Sequence, residues 1–405
     1  MPQDTNTPRR LACGYAPHKK KNMAKKRDRW ASDSDESDRS DGEEAEAPAA
    51  PPAPPRAAAP RPPPQQLQRR PVKQRRHPLI HGCRRVDCFE RLDRIEEGSY
   101  GVVYRARDIE TREIVALKRV KLTREACVNG FPVTALREAN VLLTLAHENI
   151  VRVKEMVVGD ASDQVFMVMT CFDRDLKSCL RDHEGPLAQA DMKCLASQLF
   201  AAVAHMHSRW YIHRDIKTSN VLYNDDGRLA LCDFGLARRF GDPVEPMTTN
   251  VVTLWYRCPE LLLGATSYST AVDNWSVGCV LAELLLKQPV FAGRSEVEQL
   301  HAIFKVLGAP ADGYLTELPL ADTLLNFGKR RPKNRLREKF PTATFGSTAT
   351  TPLTASGLDL LQRLFAYDPS SRLGAAQASS HNYFREAPFA TPRRFMKLRV
   401  EKKVE

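Results

Sequence analysis

The sequence lacks the features that mark membrane-spanning, secreted and zinc-binding proteins. No stretch of the 405 residues approaches the roughly 18 to 20 consecutive apolar residues that a membrane helix needs. The first residues, MPQDTNTPRR, are too polar for the apolar core of a signal peptide. The ten cysteines are scattered without a C-x-x-C pair, which argues against zinc and a disulfide framework and fits a reducing compartment.

Positive charge is abundant but is concentrated at the two ends of the chain. Of the formal net charge of +12, residues 1–86 carry about +9 and residues 387–405 about +4. The middle of the chain is therefore close to neutral. We expect residues 387–405 to form a mobile basic tail.

The first 86 residues have the composition of a disordered segment. They contain two basic clusters, an acidic serine-rich run and a proline-alanine segment, at residues 18–29, 69–77, 32–46 and 48–64. Such a composition cannot bury enough apolar surface to offset the entropy of the chain. The basic clusters could be nuclear-import signals, weak nucleic-acid contacts or solvated charge.

Hydrophobic patterning begins at about Cys88 and predicts two lobes. Residues 102–108 (VVYRARD) and 114–122 (IVALKRVKL) alternate like β-strands, whereas residues 190–208 place apolar side chains at helical spacing. A strand-rich first third followed by a longer helical part favours an α+β fold with a small β lobe and a larger α lobe.

A glycine-containing turn opens the patterned part of the chain. In IEEGSYGVVY (95–104), Gly98 and Gly101 would let a hairpin backbone approach phosphate oxygens that a Cβ atom would obstruct. Glycine-containing turns between strands are common, so this signal is weak by itself. It predicts a phosphate site only in combination with other motifs.

Lys118 lies at the end of a strand-like stretch, IVALK. A lysine on the buried face of a strand needs an anion, although it can also extend its ammonium group into solvent. Further on, GFPVTALREAN (130–140) has a proline suited to the first turn of a helix, and it places Arg137 and Glu138 about 100° apart on that helix. We expect Glu138 to face inward and pair with Lys118.

Two further motifs carry acidic and amide side chains. In HRDIKTSN (213–220), Asp215 can accept the proton of a substrate hydroxyl or orient that hydroxyl, and Lys217 can neutralise charge on a transferring phosphoryl group. Asn220 and, in LALCDFG, Asp233 offer the oxygen ligands that Mg²⁺ prefers. Either aspartate could be only a structural cap, but the ordered set of motifs is hard to obtain by accident.

In this order the motifs resemble the eukaryotic protein kinases, over roughly residues 89–384. The resemblance implies a bilobal kinase fold, with a small lobe at about 89–170, a hinge at 170–172 and a large lobe at about 173–384. It also implies ATP and Mg²⁺ as cofactors.

Other residues extend the resemblance to the kinases. CPE (258–260) is similar to the family's APE motif, which implies that Glu260 pairs with Arg372. VDNWSVGC resembles the central helix that anchors the catalytic loop, here through Asp273. Lys217 follows Asp215 as it does in Ser/Thr kinases, and the resemblance implies that Thr253 bridges these two residues.

The stretch VVTLWYR (251–257) resembles the proline-directed branch of the family. In that branch Arg257 would satisfy a strained carbonyl near Val252, so that the residue after the phosphoacceptor need not donate a hydrogen bond and proline fits. GFPVTALRE is similar to the cyclin-contacting helix of the cyclin-dependent kinases. It is most similar to the PITSLRE type, and the PISSLRE type comes second. The resemblance implies that a cyclin, of the L type, binds at residues 131–138.

The resemblance also implies an ATP site and a set of regulatory residues. Met169 would be the gatekeeper, and Glu96 replaces the first glycine of the loop, as in the PITSLRE type. The implied ATP-binding residues are Ile95, Glu96, Glu97, Gly98, Ser99, Tyr100, Gly101, Val102, Val103, Ala116, Lys118, Met169, Thr170, Phe172 and Leu222.

Thr248 aligns with the activating phosphothreonine, and Thr249 offers a second hydroxyl beside it. The phosphate would be bound by arginines, since guanidinium–phosphate contacts are bidentate and strong. The implied regulatory residues are Thr248, its three arginines Arg137, Arg214 and Arg238, and the inhibitory phosphosites Ser99 and Tyr100.

The sequence thus predicts a cyclin-dependent, proline-directed Ser/Thr protein kinase. We expect it in the nucleus, or in the nucleus and the cytoplasm, acting in transcription and pre-mRNA processing or in cell-cycle control. One alternative is an inactive kinase-fold scaffold that recruits nuclear partners through its tails. Another is a nucleic-acid-binding protein, although no aromatic-interleaved recognition module accompanies the basic clusters.

Overall fold

A computed structural model describes most of the chain beyond residue 81. The residues described are 82–98, 101–120, 133–159, 164–241, 247–248, 251–310, 313–324, 332–340, 353–396 and 398. Four of the residues singled out from the sequence, Ser99, Tyr100, Phe131 and Thr249, lie outside them. Residues 1–81 of the expected disordered segment also lie outside the described residues.

Among the described residues, a five-stranded antiparallel sheet and one helix form the small lobe. The strand order is β1-β2-β3-β5-β4. The strands are β1 (Phe89–Gly98), β2 (Gly101–Asp108), β3 (Ile114–Arg119), β4 (Val153–Val158) and β5 (Val165–Thr170), and the helix is α1 (Val133–Thr144). The alternation predicted from the sequence is present in β2, where Tyr104 and Ala106 are buried and Arg105 between them is partly exposed.

The large lobe is mainly helical, as the sequence predicts. Its described helices are α2 (Leu176–Asp182), α3 (Gln189–Ser208), α4 (Pro259–Leu262), α5 (Ala271–Leu286), α6 (Glu296–Leu307), α7 (Ala321–Leu324), α8 (Leu336–Lys339), α9 (Ala355–Leu364) and α10 (Ala375–Ser379). Short 3₁₀ turns occur at Val86–Cys88, Thr218–Asn220, Phe234–Leu236, Leu254–Tyr256, Tyr314–Glu317, Asn382–Phe384 and Arg393–Phe395.

Five very short strands support the region between the lobes. β6 (Arg174–Asp175), β8 (Val221–Tyr223) and β9 (Leu229–Leu231) form one small sheet, and β7 (Tyr211–Ile212) pairs with β10 (Arg238–Arg239). Two of the chemistry-bearing motifs are therefore held between strands: HRDIKTSN joins β7 to β8, and Asp233 follows β9.

Helix α5 forms the centre of the large lobe. It is predominantly apolar, and all its residues from Ala271 to Leu285 are buried, as expected for a helix that packs on every side. Trp275 in this helix lies against Phe365 and Phe291, with ring centroids 5.1 Å and 5.9 Å away. Asp273, in the first turn of α5, is thereby held in a fixed position inside the lobe.

Two terminal segments make contacts that the sequence did not suggest. Arg84, inside the expected disordered segment, binds Asp108 and Glu155 at 2.6 Å and 2.7 Å. At the other end, most residues from 387 to 395 are exposed, whereas Met396 and Leu398 are buried in the large lobe. The expected mobility of this tail stays a prediction.

Candidate active site

The predicted pair of Lys118 and Glu138 is present. Lys118 on β3 and Glu138 on α1 are both buried, and Lys118 Nζ lies 2.7 Å from Glu138 Oε1 and 3.3 Å from Asp233 Oδ1. Burial by itself lowers the pKa of Lys118, but the two carboxylates outweigh it and raise the pKa above its usual value. The ammonium group therefore stays charged and faces the aspartate that follows β9.

Helix α1 is oriented so that Glu138 faces the sheet and Arg137 faces solvent. Arg137 and Leu136 are exposed, while Glu138 is buried. The roughly 100° step between neighbouring helix residues explains how two adjacent charges face different surroundings. The inward direction expected for Glu138 is confirmed, whereas the expected role of Arg137 as a ligand of phosphate at Thr248 stays a prediction.

Asp273 fixes the backbone of the HRDIKTSN loop. Its Oδ2 accepts from the backbone N–H of His213 at 2.8 Å, and its Oδ1 accepts from that of Arg214 at 2.9 Å. Oδ2 is also 2.9 Å from His207 Nε2. Burial alone would raise the pKa of Asp273, but these hydrogen bonds and the nearby histidines lower it. The anchoring role predicted for Asp273 is confirmed as a contact.

The carboxylate of Asp215 is bound on both oxygens. Lys217 Nζ donates to Oδ2 at 2.8 Å, and the Thr253 hydroxyl donates to Oδ1 at 2.8 Å. Lys217 Nζ also donates to Thr253 Oγ1 at 3.0 Å, which closes the predicted bridge. Burial would raise the pKa of Asp215, but the hydrogen bond and charge of Lys217 outweigh it and lower the pKa. The group is therefore an ionised, rigidly oriented acceptor.

Asn220 and Asp233 supply oxygen donors suited to a divalent cation. Asn220 Nδ2 donates to the Asp215 backbone oxygen at 2.9 Å, so its amide oxygen is the atom left for a ligand. Asp233 has a left-handed backbone, with φ 61°, immediately after β9. Within the described parts of the chain no cluster of three or more His, Cys, Asp or Glu could hold a metal by itself. The donor set fits Mg²⁺, which is usually bound by one or two protein carboxylates together with phosphate oxygens and water.

Four of the implied ATP-binding residues lie on β5, just after it or on β8. Leu222 and Met169 pack against a cluster formed by Val151, Phe172 and Ala230. Thr170 and Phe172 also line a cavity together with residues such as Arg228, whose guanidinium lies 4.7 Å from the Phe172 ring centre. Met169, Phe172 and Leu222 therefore belong to one apolar cluster.

The remaining predicted ATP-site residues lie on neighbouring strands. Val103 on β2 pairs with Lys118 on β3, and Ala116 pairs with Met169 on β5. Ile95 and Glu96 are exposed on β1, and Gly98 pairs with Gly101 where the glycine hairpin turns. Val102 is buried. Glu97 belongs to β1.

Comparison with known proteins agrees with this geometry. The model of the protein kinase domain family matches residues 89–384. The chain belongs to the protein kinase family.

Curated relatives of the kinase carry the names of cyclin-dependent kinases. It is 52% identical over 322 residues to cyclin-dependent kinase G-2 of Oryza sativa subsp. indica, covering 78% of this chain and 44% of the relative. It is 47% identical over 315 residues to human cyclin-dependent kinase 11B, covering 77% and 38%. The Drosophila melanogaster serine/threonine-protein kinase PITSLRE is 47% identical over 322 residues, covering 77% and 33%.

These similarities confirm the bilobal kinase fold and the resemblance to the cyclin-dependent kinases of the PITSLRE type. The kinase spans less than half the length of these three relatives. Membership of the family implies in general the use of ATP and Mg²⁺. None of the helices described is both long and apolar enough to cross a membrane.

Tyr268, which was given no role from the sequence, contacts the loop around Thr248. Thr248 is exposed, and its carbonyl accepts from the Tyr268 hydroxyl at 2.8 Å. That hydroxyl accepts from Arg214 Nη1 at 3.0 Å, so Arg214 reaches the loop through Tyr268. Among the described residues no hydrogen bond or ion pair joins Arg137 or Arg238 to Thr248. No periodicity or motif marked Tyr268.

The predicted contact between Arg257 and Val252 is present. Val252 has a positive φ of 67°, and its carbonyl accepts from Arg257 Nε and Nη2 at 3.2 Å and 3.0 Å. Arg257 Nη1 is also 2.6 Å from Glu296 Oε1, at the start of α6. Sequence reasoning missed Glu296, because its position in the first turn of a helix is also explained by the helix dipole.

The predicted pair of Glu260 and Arg372 is also present. Arg372 Nη1 lies 2.6 Å from Glu260 Oε1, and both side chains are fully buried. Cys258, in place of the family's alanine, is buried beside them, and burial raises its thiol pKa well above the usual range. This thiol is therefore a packing group of the large lobe.

Proposed function

We propose that the chain is a cyclin-dependent, proline-directed Ser/Thr protein kinase that transfers the γ-phosphate of ATP to protein hydroxyls. One observation carries the proposal. Asp215, held by Lys217 and Thr253, is hydrogen-bonded to Asn220, whose backbone carbonyl accepts at 2.9 Å from the residue before Asp233, and Asp233 in turn contacts Lys118. An inactive scaffold is disfavoured, because the lysine and both aspartates are present and in contact with their partners.

When bound, Mg²⁺ at Asp233 and Asn220 would neutralise charge on the phosphate oxygens of ATP, which is the phosphoryl donor. Lys118, oriented by Glu138, would bind the α- and β-phosphates. Asp215 accepts a hydrogen bond from the substrate hydroxyl and orients it, and Lys217 places a positive charge beside the transferring group. These residues act by position and charge, as expected for a reaction that asks little covalent chemistry of the protein.

The conformation of Val252 supports selection of proline after the phosphoacceptor. Its carbonyl is satisfied by Arg257, so it needs no donor from the substrate. Proline has no N–H to offer, and it is therefore accepted at the next position without an unsatisfied donor.

The exposed side of α1 supports binding of a cyclin. Leu136 is 51% and Leu143 63% exposed on this helix, while Glu138 on its other side is buried. By resemblance the partner is an L-type cyclin. We assign the protein to the nucleus, or to the nucleus and the cytoplasm, because the N-terminal basic clusters have the composition of import signals. The process would be transcription and pre-mRNA processing or cell-cycle control. Thr248 would be the activating phosphosite and Ser99 and Tyr100 inhibitory ones.

The decisive experiment compares the full chain with its Asp215→Asn variant, each purified with a co-expressed cyclin. We expect the wild type to phosphorylate a Ser-Pro peptide and the variant to lose phosphotransfer, with Mg-ATP still raising the melting temperature of both. Turnover of the variant at the wild-type rate would exclude the assigned role of Asp215. Affinity capture, followed by identification of the co-purifying cyclin, tests the partner.

A further inference from the structure

A groove opens beside the proposed catalytic residues. Its volume is about 720 Å³, and its wall includes Lys217 and Thr253, the two residues bound to Asp215. The opposite wall is formed by helix α2, through Lys177 and Arg181, and by the residues after α5, through Lys287. The groove therefore extends from the phosphoacceptor position towards α2.

The groove is positively charged. Its wall contains four cationic side chains, Lys177, Arg181, Lys217 and Lys287, and a single anionic one, Glu283. Lys177 and Arg181 are four residues apart and exposed, so they lie on one face of α2. Within the described part of the chain no carboxylate lies within ion-pairing distance of Lys177.

The other cations of the groove have partners of different strength. Arg181 is paired with its neighbour Asp182 at 2.7 Å, but its side chain is 72% exposed, and exposed pairs of this kind contribute little. The ammonium group of Lys287 is tied to the His183 carbonyl, a neutral acceptor that leaves its charge uncompensated. A ligand could therefore recruit the positive charge of Lys177 and Arg181 at small cost.

The single acid of the groove is turned inward. Glu283 is buried, and its carboxylate accepts from the Tyr256 hydroxyl at 2.6 Å and from Thr218 Oγ1 at 3.1 Å. These contacts satisfy Glu283 within the protein. The exposed charge of the groove is then that of the lysines and arginine.

The position of the groove relative to Val252 and Arg257 indicates which part of a substrate it would hold. In the proposed function a substrate proline lies at these two residues, immediately after the phosphoacceptor. Neither of them lines the groove, which takes only Thr253, Trp255 and Tyr256 from the segment between them and continues past Lys217 to α2. The groove is therefore placed for the residues that precede the phosphoacceptor.

We propose that this groove is a specificity subsite for an anionic side chain, phosphorylated or acidic, on the N-terminal side of the phosphoacceptor, with Lys177 and Arg181 as its ligands. The proposal rests on the proposed kinase function. Two cations one helical turn apart can bind the oxygens of one phosphate, and charge-assisted hydrogen bonds of this kind are strong. A carboxylate would bind by the same chemistry with a smaller charge.

The test uses the full chain with its cyclin and a set of otherwise identical Ser-Pro peptides. Each of the four positions before the phosphoacceptor is occupied in turn by phosphoserine, aspartate, alanine or lysine. We expect kcat/KM to be about tenfold higher for phosphoserine than for alanine at one of these positions, and intermediate for aspartate. The phosphoserine-to-alanine ratio should fall as ionic strength rises, because salt screens exposed charges.

Charge reversal at Lys177 and Arg181 should remove the preference. In a Lys177→Glu/Arg181→Glu variant the phosphoserine-to-alanine ratio should drop to one or below. The matched control, Lys305→Glu/Arg337→Glu, makes the same charge change at exposed positions outside the groove and should keep the wild-type ratio. If the double variant does not fold, the single Lys177→Ala variant and the ionic-strength series give the same information.

The outcomes separate this proposal from the proposed function. If no Ser-Pro peptide is phosphorylated, the kinase assignment itself fails. If the peptides are phosphorylated with equal kcat/KM, only the subsite is overturned. A preference for lysine would also overturn it, and would instead assign the groove to Glu283.

Discussion

Arg372 and Glu260 form a bidentate ion pair that is completely buried in the large lobe, with Nη1–Oε1 and Nη2–Oε2 distances of 2.6 Å and 3.0 Å. Arg372 also donates to the backbone carbonyls of Ala366 and Ala271, and its guanidinium lies 5.1 Å from the centre of the Trp275 ring. The pair thus joins the segment that follows Val252 and Arg257 to the central helix α5.

We expect Arg372→Met to lower the free energy of unfolding of the large lobe by about 3–5 kcal/mol, because it leaves the buried carboxylate of Glu260 without a compensating charge. Chemical denaturation of the full chain measures the change. The control is Arg363→Met, which removes an exposed pair with Asp359 at 2.9 Å and should cost less than about 1 kcal/mol. Equal, small effects of the two substitutions would contradict the structural importance of the buried pair.

Removing Lys217 should move the pH dependence of the reaction. Burial raises the pKa of Asp215, and Lys217 more than offsets it by hydrogen bonding and charge. In the folded protein the Asp215 carboxylate is therefore protonated only at a pH below the usual carboxylate pKa. Without Lys217 the raising effect of burial remains, so the acid limb of kcat/KM should shift to higher pH in Lys217→Met.

The pH profiles of wild type, Lys217→Met and Lys217→Arg distinguish charge from position. The arginine variant keeps a cation beside Asp215 and should retain an acid limb close to that of the wild type, even if its rate is lower. An unshifted acid limb in the methionine variant would show that Lys217 does not hold the pKa of Asp215 down.

Glu138→Gln should lower kcat/KM by about tenfold or more, even with cyclin bound. The amide carries no charge, so among the described residues Lys118 would keep the contact with Asp233 and would be drawn towards it. Steady-state kinetics with ATP as the varied substrate measures the effect. Glu110→Gln removes an acid of the same lobe that is 82% exposed, and it should leave the rate unchanged.

Lys193 should determine the order of the C-terminal segment. This residue is buried on α3, and its Nζ donates to the carbonyls of Glu386 and Pro388, both at 2.9 Å. Lys193→Met would leave these carbonyls without their donor, which costs about 1–3 kcal/mol for a buried group. We expect faster amide hydrogen exchange in residues 387–396, with little change in phosphotransfer. Unchanged exchange there would show that the burial of Met396 and Leu398 is sufficient.

Much of the site could be predicted from the sequence because phosphoryl transfer needs particular residue types in a fixed order. The pairing of Lys118 with Glu138 follows from a buried lysine and a helix that carries one inward carboxylate. The bridge from Thr253 to Asp215 and the bond from Arg257 to Val252 were implied by resemblance to the kinases, and both contacts are present.

The contacts of the C-terminal segment could not be predicted from the sequence. The composition of residues 387–405 is basic, and composition alone favours solvation of such a segment. Burial of Met396 and Leu398, together with the clamp by Lys193, depends on a surface that is created only when α3 and the small β6-β8-β9 sheet come together.

The sequence by itself determined the order of the motifs, the two-lobe arrangement and the identity of the charged residues in the site, because these depend on local patterning and on residue chemistry. Tertiary structure alone decided that Tyr268 connects Arg214 to Thr248, that Glu296 supports Arg257, and that Lys177 and Arg181 face the groove beside Lys217. Arg214 and Tyr268 are 54 positions apart, and Arg257 and Glu296 are 39 positions apart. Contacts over such separations leave no periodic signal in the chain, since they arise only from the packing of complete elements.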